Sequence, residues 1–144
     1  MKEIKVGLIG FGTVGAGVVK ILQKNFGLIE KRMGAKIVLK RIADIDLKTD
    51  RGVKLKAGVL TRTAEDVIED PEIDIVMELI GGIEPAKTYI LKAIRNKKHI
   101  ITANKALLAL HGYEIFREAH RFGLDINFEA SVGGGIPLIR SIKE

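Results

Sequence analysis

The 144-residue sequence has no cysteine and only three prolines. Without thiols there can be no disulfide and no thiolate metal site, so any redox chemistry would need a bound cofactor, and the chain suits a reducing compartment such as the cytoplasm. Scarce proline beside 16 glycines argues against disordered linker and for glycine placed where the backbone turns tightly or is approached closely. No uncharged stretch is long enough to cross a bilayer, and Met1-Lys-Glu-Ile-Lys runs directly into an apolar strand without the features of a secretory leader. The expectation is a cytoplasmic protein that does not engage a membrane. Aromatic residues make up 5% of the chain and do not interleave with the basic ones, which argues against a stacking platform for single-stranded nucleic acid.

What is present is a 47% hydrophobic content in a chain of one-domain length, enough for a single core spanning residues 1–144. The net charge of +6 is uneven. Through Arg62 there are 14 Lys and Arg against 5 Asp and Glu, and from Thr63 onward 10 against 13. A basic first half would attract phosphates, although scattered lysines on solvated helix faces give the same count.

Ile4 to Ile9 is a short apolar run ending in glycine, as expected of a strand buried on both faces of a parallel sheet. Val14, Val18, Ile21 and Leu22 then recur at helical spacing, and the pattern continues through Phe26, Ile29 and Met33 to a stop at Gly34. Lys36 to Ala43 predicts a second strand closed by Asp44. Leu47 to Leu60 reads as loop with room for one short strand. Thr63-Ala-Glu-Asp66 predicts a capping box on a short helix. Asp74 to Ile80 predicts a strand, and a helix starting at Pro85 should bury Ala86, Tyr89, Ile90, Ala93 and Ile94. His99 to Thr102 is a strand again, followed by two helical pieces, 105–110 and 113–122, broken at Gly112. Leu124 to Ala130 predicts a last strand. Strand and helix alternate almost throughout, which predicts an α/β fold with a doubly wound parallel sheet.

Gly10-Phe11-Gly12-Thr13-Val14-Gly15 follows the first strand and opens the first helix. In that setting the spacing is the Rossmann-type dinucleotide fingerprint. Gly10 would form the turn, Gly12 would let the backbone approach a pyrophosphate, Gly15 would let helix and strand pack closely, and the helix start would offer free amides to phosphate. Asp44 lies 29 residues beyond Gly15, further than usual, but the long first helix absorbs the excess and leaves a carboxylate at the end of the second strand. There it would accept hydrogen bonds from a ribose and repel a 2′-phosphate, which favours NAD over NADP. Arg41, Lys48, Arg51, Lys54 and Lys56 lie nearby in sequence and could accommodate that phosphate, so both cofactors stay open.

Three further stretches accompany this loop: Gly81-Gly82, Thr102-Ala-Asn-Lys105, and Glu129-Ala-Ser-Val-Gly-Gly-Gly-Ile-Pro137. Together, over the whole chain, they resemble the amino-terminal NAD(P)-binding domain of homoserine dehydrogenases. The resemblance implies reversible reduction of L-aspartate 4-semialdehyde to L-homoserine in threonine, methionine and isoleucine biosynthesis. It places Gly10 to Gly15, Asp44, Gly81, Thr102, Lys105 and Ser131 around the cofactor, with Lys105 stabilising and protonating the oxygen that becomes negative on hydride delivery. It also implies a monovalent cation, sodium, held by the Glu129 carboxylate and the carbonyls of Val132, Gly134 and Ile136, an all-oxygen set suited to a hard ion. The family's substrate-binding and dimer-forming region would follow residue 144, so the chain by itself is expected to bind cofactor without turnover, and the full-length enzyme is expected to be a homo-oligomer. Two other functions use the same loop: a regulatory nucleotide-sensing domain without catalysis, and an oxidoreductase acting on another aldehyde. His99, His111 and His120 show no metal-ligand grouping.

Overall fold

The computed structural model of the chain describes residues 2–128. Its elements are β1 (Lys2–Ile9), α1 (Thr13–Met33), β2 (Ala35–Ala43), β3 (Leu60–Thr61), α2 (Glu65–Ile68), β4 (Ile75–Glu78), α3 (Ala86–Arg95), β5 (His99–Thr102), α4 (Lys105–Arg121) and β6 (Ile126–Asn127). The strands form one sheet in the order β3-β2-β1-β4-β5-β6, and every neighbouring pair is parallel. From β1 the chain winds outward to β2 and β3, then returns to β4 on the other side of β1. This reversal is the topological switch point of a Rossmann-type fold, and the crevice beyond the carboxyl ends of β1 and β4 is where such sheets bind ligands.

Alternation along the strands feeds two cores. Ile4, Val6 and Leu8 of β1, Ile75 and Met77 of β4, and Ile101 of β5 pack with Val18, Val19 and Leu22 of α1 on one face. Val76, Ile100 and Ile9 pack on the other face with Val67 and Ile68 of α2, Ile90 and Ile94 of α3, and Leu107 and Ile115 of α4. Because both faces are covered, the strands read in sequence as continuous apolar runs.

Several expectations need correction. No side chain caps α2: it starts from Ala64, and the Asp66 carboxylate instead accepts a 2.5 Å hydrogen bond from the Thr61 hydroxyl, so a tie to the end of β3 replaces the capping box. The two expected helical pieces are one helix, α4, with Leu107, Gly112, Ile115 and Ala119 all buried. Packing of that face outweighs the roughly 1 kcal/mol that glycine costs inside a helix. In α1, Phe26 is 63% exposed and follows a non-helical Asn25; the kink turns the second half of the helix so that the apolar periodicity there is only partly buried. Tyr89 is partly buried, while Leu91 joins the buried face of α3. Among the described residues the last strand pairs at Ile126 and Asn127, and residues 129–130 of the expected strand lie outside the described residues.

Candidate nucleotide-binding site

The chain passes from β1 to α1 in three residues, and the space around each glycine shows what it permits. Gly10 has φ +111, and a β-carbon on it would lie 2.8 Å from the Leu79 carbonyl carbon, so only glycine fits this turn. A β-carbon on Gly15 would lie 2.2 Å from the Gly10 carbonyl oxygen; the start of α1 sits directly on the turn. Gly12 is different, because a β-carbon there would meet no atom within 4 Å. Among the described residues its missing side chain serves no packing. Gly12, Thr13 and Val14 are exposed, whereas Phe11 and Gly15 are buried. Gly12 also caps α1 without any side-chain cap bond, and the first turn of the helix carries no acidic residue. Among the described residues, the helix-start amides of Thr13 and Val14 have no partner, and with the positive end of the helix dipole they face open space, an arrangement that fits a diphosphate.

Beside this turn, Asp44 stands immediately after β2. One carboxylate oxygen accepts a 2.7 Å bond from the Phe11 amide, and the other accepts 2.8 Å from the Asp46 amide. Of the five basic residues offered by the sequence for a phosphate, Arg51 is the one that reaches the glycine turn among the described residues. Its Nε donates to the Phe11 carbonyl at 2.5 Å, its guanidinium lies 5.3 Å from the centre of the Phe11 ring, and it approaches Asp44 and Asp46 at 3.7 and 3.5 Å. Arg41 turns instead toward the Gly58 carbonyl and Asp70. The Asp46 carboxyl is held down to about 2 by the Thr49 hydroxyl, then by the Thr49 and Lys48 amides, with Arg51 adding a smaller contribution.

On the other side of the switch point, the carboxyl ends of β4 and β5 meet through Glu78. This carboxylate is wholly buried. It accepts the Ile80 and Gly81 amides on one oxygen, both at 3.0 Å, and the Thr102 hydroxyl on the other at 2.7 Å. Thr102 in turn accepts the Asn104 amide at 3.0 Å. Asn104 donates its side-chain amide to the Gly82 carbonyl at 2.6 Å and caps α4 by accepting the Leu107 amide at 3.1 Å. Lys105 is the first residue of α4; it is exposed, and its ammonium has no ion pair or side-chain hydrogen bond among the described residues. The sequence reading missed Glu78. Its signal was a carboxylate in the Ile-Val-Met-Glu run of a strand otherwise apolar on both faces.

Gly10 to Gly15, Asp44, Gly81, Thr102 and Lys105 thus gather along one carboxyl edge of the sheet. Ser131 and the four expected cation ligands, Glu129, Val132, Gly134 and Ile136, lie outside the described residues. Among the described residues no group of His, Asp and Glu could hold a metal ion, and no helix is long and apolar enough to cross a membrane.

A family model described as the NAD binding domain of homoserine dehydrogenase matches residues 10–129, which takes in the glycine turn, both carboxyl-edge turns and Lys105. The chain belongs to the homoserine dehydrogenase family. A homoserine dehydrogenase of Bacillus subtilis is 49% identical over 144 residues, covering 100% of this chain and 33% of that protein. One of Pseudomonas aeruginosa is 47% identical over 146 residues, covering 100% and 33%. The crystal structure of a homoserine dehydrogenase from Thiobacillus denitrificans superposes with a TM-score of 0.85 at 48% identity, again over 100% of this chain and 33% of that one. The chain therefore spans about a third of the length of these homoserine dehydrogenases and corresponds to their NAD(P)-binding region.

Proposed function

We propose that the chain is the cofactor-binding part of a cytoplasmic, homo-oligomeric homoserine dehydrogenase that interconverts L-aspartate 4-semialdehyde and L-homoserine. The observation that carries this reading is the open face of Gly12 at an uncapped helix start, set on the same sheet edge as Lys105. The amides of Thr13 and Val14 would hold the diphosphate, and Asp44 the adenosine ribose. The Gly81 turn, Thr102 and Ser131 would border the nicotinamide; Thr102 would do so through its backbone, since its hydroxyl is committed to Glu78. The bound nicotinamide cofactor supplies or accepts hydride. Lys105 presents its ammonium to the substrate oxygen, stabilises the negative charge that develops there, and donates the proton. In a protein of the relatives' full length, Lys105→Ala should leave NADH affinity near normal and lower kcat by about a hundredfold or more, the scale of a lost general acid. A near-normal kcat would refute the assignment.

NAD is the preferred cofactor in this reading. The Asp44 carboxylate would lie against the ribose and repel a 2′-phosphate, and Arg51, the cation that reaches the glycine turn among the described residues, is already flanked by Asp44 and Asp46. Titration of the chain with both reduced cofactors decides the matter, and NADP binding tighter by about tenfold, or 1.4 kcal/mol, would overturn the preference. The cation reading rests on the oxygen-only chemistry of Glu129, Val132, Gly134 and Ile136 and on the family. Exchanging sodium for a bulky organic cation should lower the activity of the full-length protein, and an unchanged rate would remove the ion from the account.

A further inference from the structure

Glu78 has no part in the chemistry proposed above, yet it is the most completely buried carboxylate on the sheet edge that carries it, with 0% of its surface exposed. Burying a carboxylate is costly unless hydrogen bonds satisfy it. Among the described residues no lysine or arginine pairs with it, and each of its three donors comes from one of two turns. The Ile80 and Gly81 amides belong to the turn after β4. The Thr102 hydroxyl opens the turn after β5 and passes the connection on to the Asn104 amide. Glu78 and Thr102 are register partners in the parallel pair β4 and β5, so the side chains leave the sheet on one face and meet without bending either strand. A second tie, from Asn104 to the Gly82 carbonyl, closes the loop between the same two turns, and Asn104 also starts the helix whose first residue is Lys105. The glycine turn and Asp44 lie on the other side of the switch point and share no hydrogen bond with this network among the described residues.

From this arrangement we infer that Glu78 is a positioning residue: its two oxygens lock the Gly81-Gly82 turn to the Thr102–Lys105 turn and so set the nicotinamide half of the site independently of the diphosphate half. The inference rests on the cofactor reading above and deepens it. A shorter or neutral side chain at Glu78, or loss of the Thr102 hydroxyl, would unhook the turns from each other while leaving β1, α1 and Asp44 in place. The spacing of the strands is kept by backbone ladder bonds, so the change is local.

The test uses the isotopically labelled 144-residue chain and three variants, Thr102→Val, Thr102→Ser and Glu78→Gln, with ADP-ribose and NADH as probes. Without ligand, Thr102→Val should shift the amide resonances of Gly81, Gly82 and Lys105 together and leave those of Gly12 to Gly15 unmoved. ADP-ribose, which lacks the nicotinamide, should bind Thr102→Val within about twofold of the parent Kd, whereas NADH should bind about tenfold or more weakly, the scale of losing one hydrogen bond to a charged group. Its fluorescence change should also diminish. Thr102→Ser should restore both readouts, and Glu78→Gln, which keeps the shape but offers one acceptor oxygen in place of two, should fall between parent and Thr102→Val. Equal weakening of ADP-ribose and NADH, or unmoved Gly81 and Gly82 resonances in ligand-free Thr102→Val, would overturn the positioning role while the cofactor reading stands. Failure of the parent chain to bind either probe would overturn the cofactor reading and the inference that rests on it.

Discussion

Substituting alanine for glycine at two positions three residues apart should separate ligand binding from folding. At Gly15 the added β-carbon would lie 2.2 Å from the Gly10 carbonyl oxygen and 3.0 Å from its carbon. Both are backbone atoms, so no rotamer change relieves the clash, and α1 must move off the turn by about 1 Å to restore ordinary contact, an overpacking that costs about 1–3 kcal/mol. For a chain of this size that lowers Tm by about 3–10 °C. At Gly12 the β-carbon meets nothing within 4 Å among the described residues and φ is −78, accessible to alanine. The weaker helix capping by alanine and the smaller entropy of the unfolded chain oppose each other, so stability should change by less than about 1 kcal/mol. The methyl group nevertheless projects into the space assigned to the diphosphate, and NADH affinity should fall by about tenfold to a hundredfold, or roughly 1.4–2.8 kcal/mol. Thermal melts monitored by circular dichroism, paired with calorimetric titration of NADH, read both quantities. Gly12→Ala binding NADH like the parent, or melting as low as Gly15→Ala, would refute the reasoning.

Asp44→Asn should raise the affinity for NADP relative to NAD by about fivefold or more, read as the ratio of Kd values, because under the proposed reading it removes the charge that opposes a 2′-phosphate. Asp46 has a folded pKa of about 2 against an ordinary 3.8. Its depressed value means that its stabilising effect is complete above the ordinary pKa and is lost as pH falls through the folded one, so the Tm difference between the parent and Asp46→Ala should be present at neutral pH and vanish toward pH 2. Ile94 is wholly buried between α3 and the sheet, and Ile94→Ala should destabilise by about 2–5 kcal/mol in a denaturant titration without altering NADH affinity at temperatures where the variant is folded.

The parts of this structure that were legible in the sequence are those set by local rules. β1 is a short apolar run closed by Gly10, the first half of α1 carries an apolar stripe and the helix stops at Gly34 in the left-handed conformation, and the crowding at Gly10 and Gly15 matches the tight turn and the close helix packing expected of them. The position of Asp44 directly after β2 was legible because the apolar run of that strand ends at Ala43. The parts that escaped depend on partners distant in sequence. Gly112 looks like a break until its face is seen packed within the second core. Thr63 and Asp66 fit a capping box until Thr61, at the end of a two-residue strand, takes the carboxylate. Arg51 was one of five equivalent cations until the loop after β2 folded back to lay it on Phe11. Glu78 carried no motif, since its three donors lie up to 24 residues away and converge only when β4 and β5 pair in register.

The central claim is that the amides between β1 and α1 cradle a diphosphate. A crystal structure of the chain grown with saturating NADH tests it directly. The account predicts diphosphate oxygens within about 3 Å of the Thr13 and Val14 amide nitrogens, the ordinary hydrogen-bond distance, with the Asp44 carboxylate on the adenosine ribose. Dinucleotide bound elsewhere on the protein, with Gly12 to Val14 in contact only with water, would contradict it.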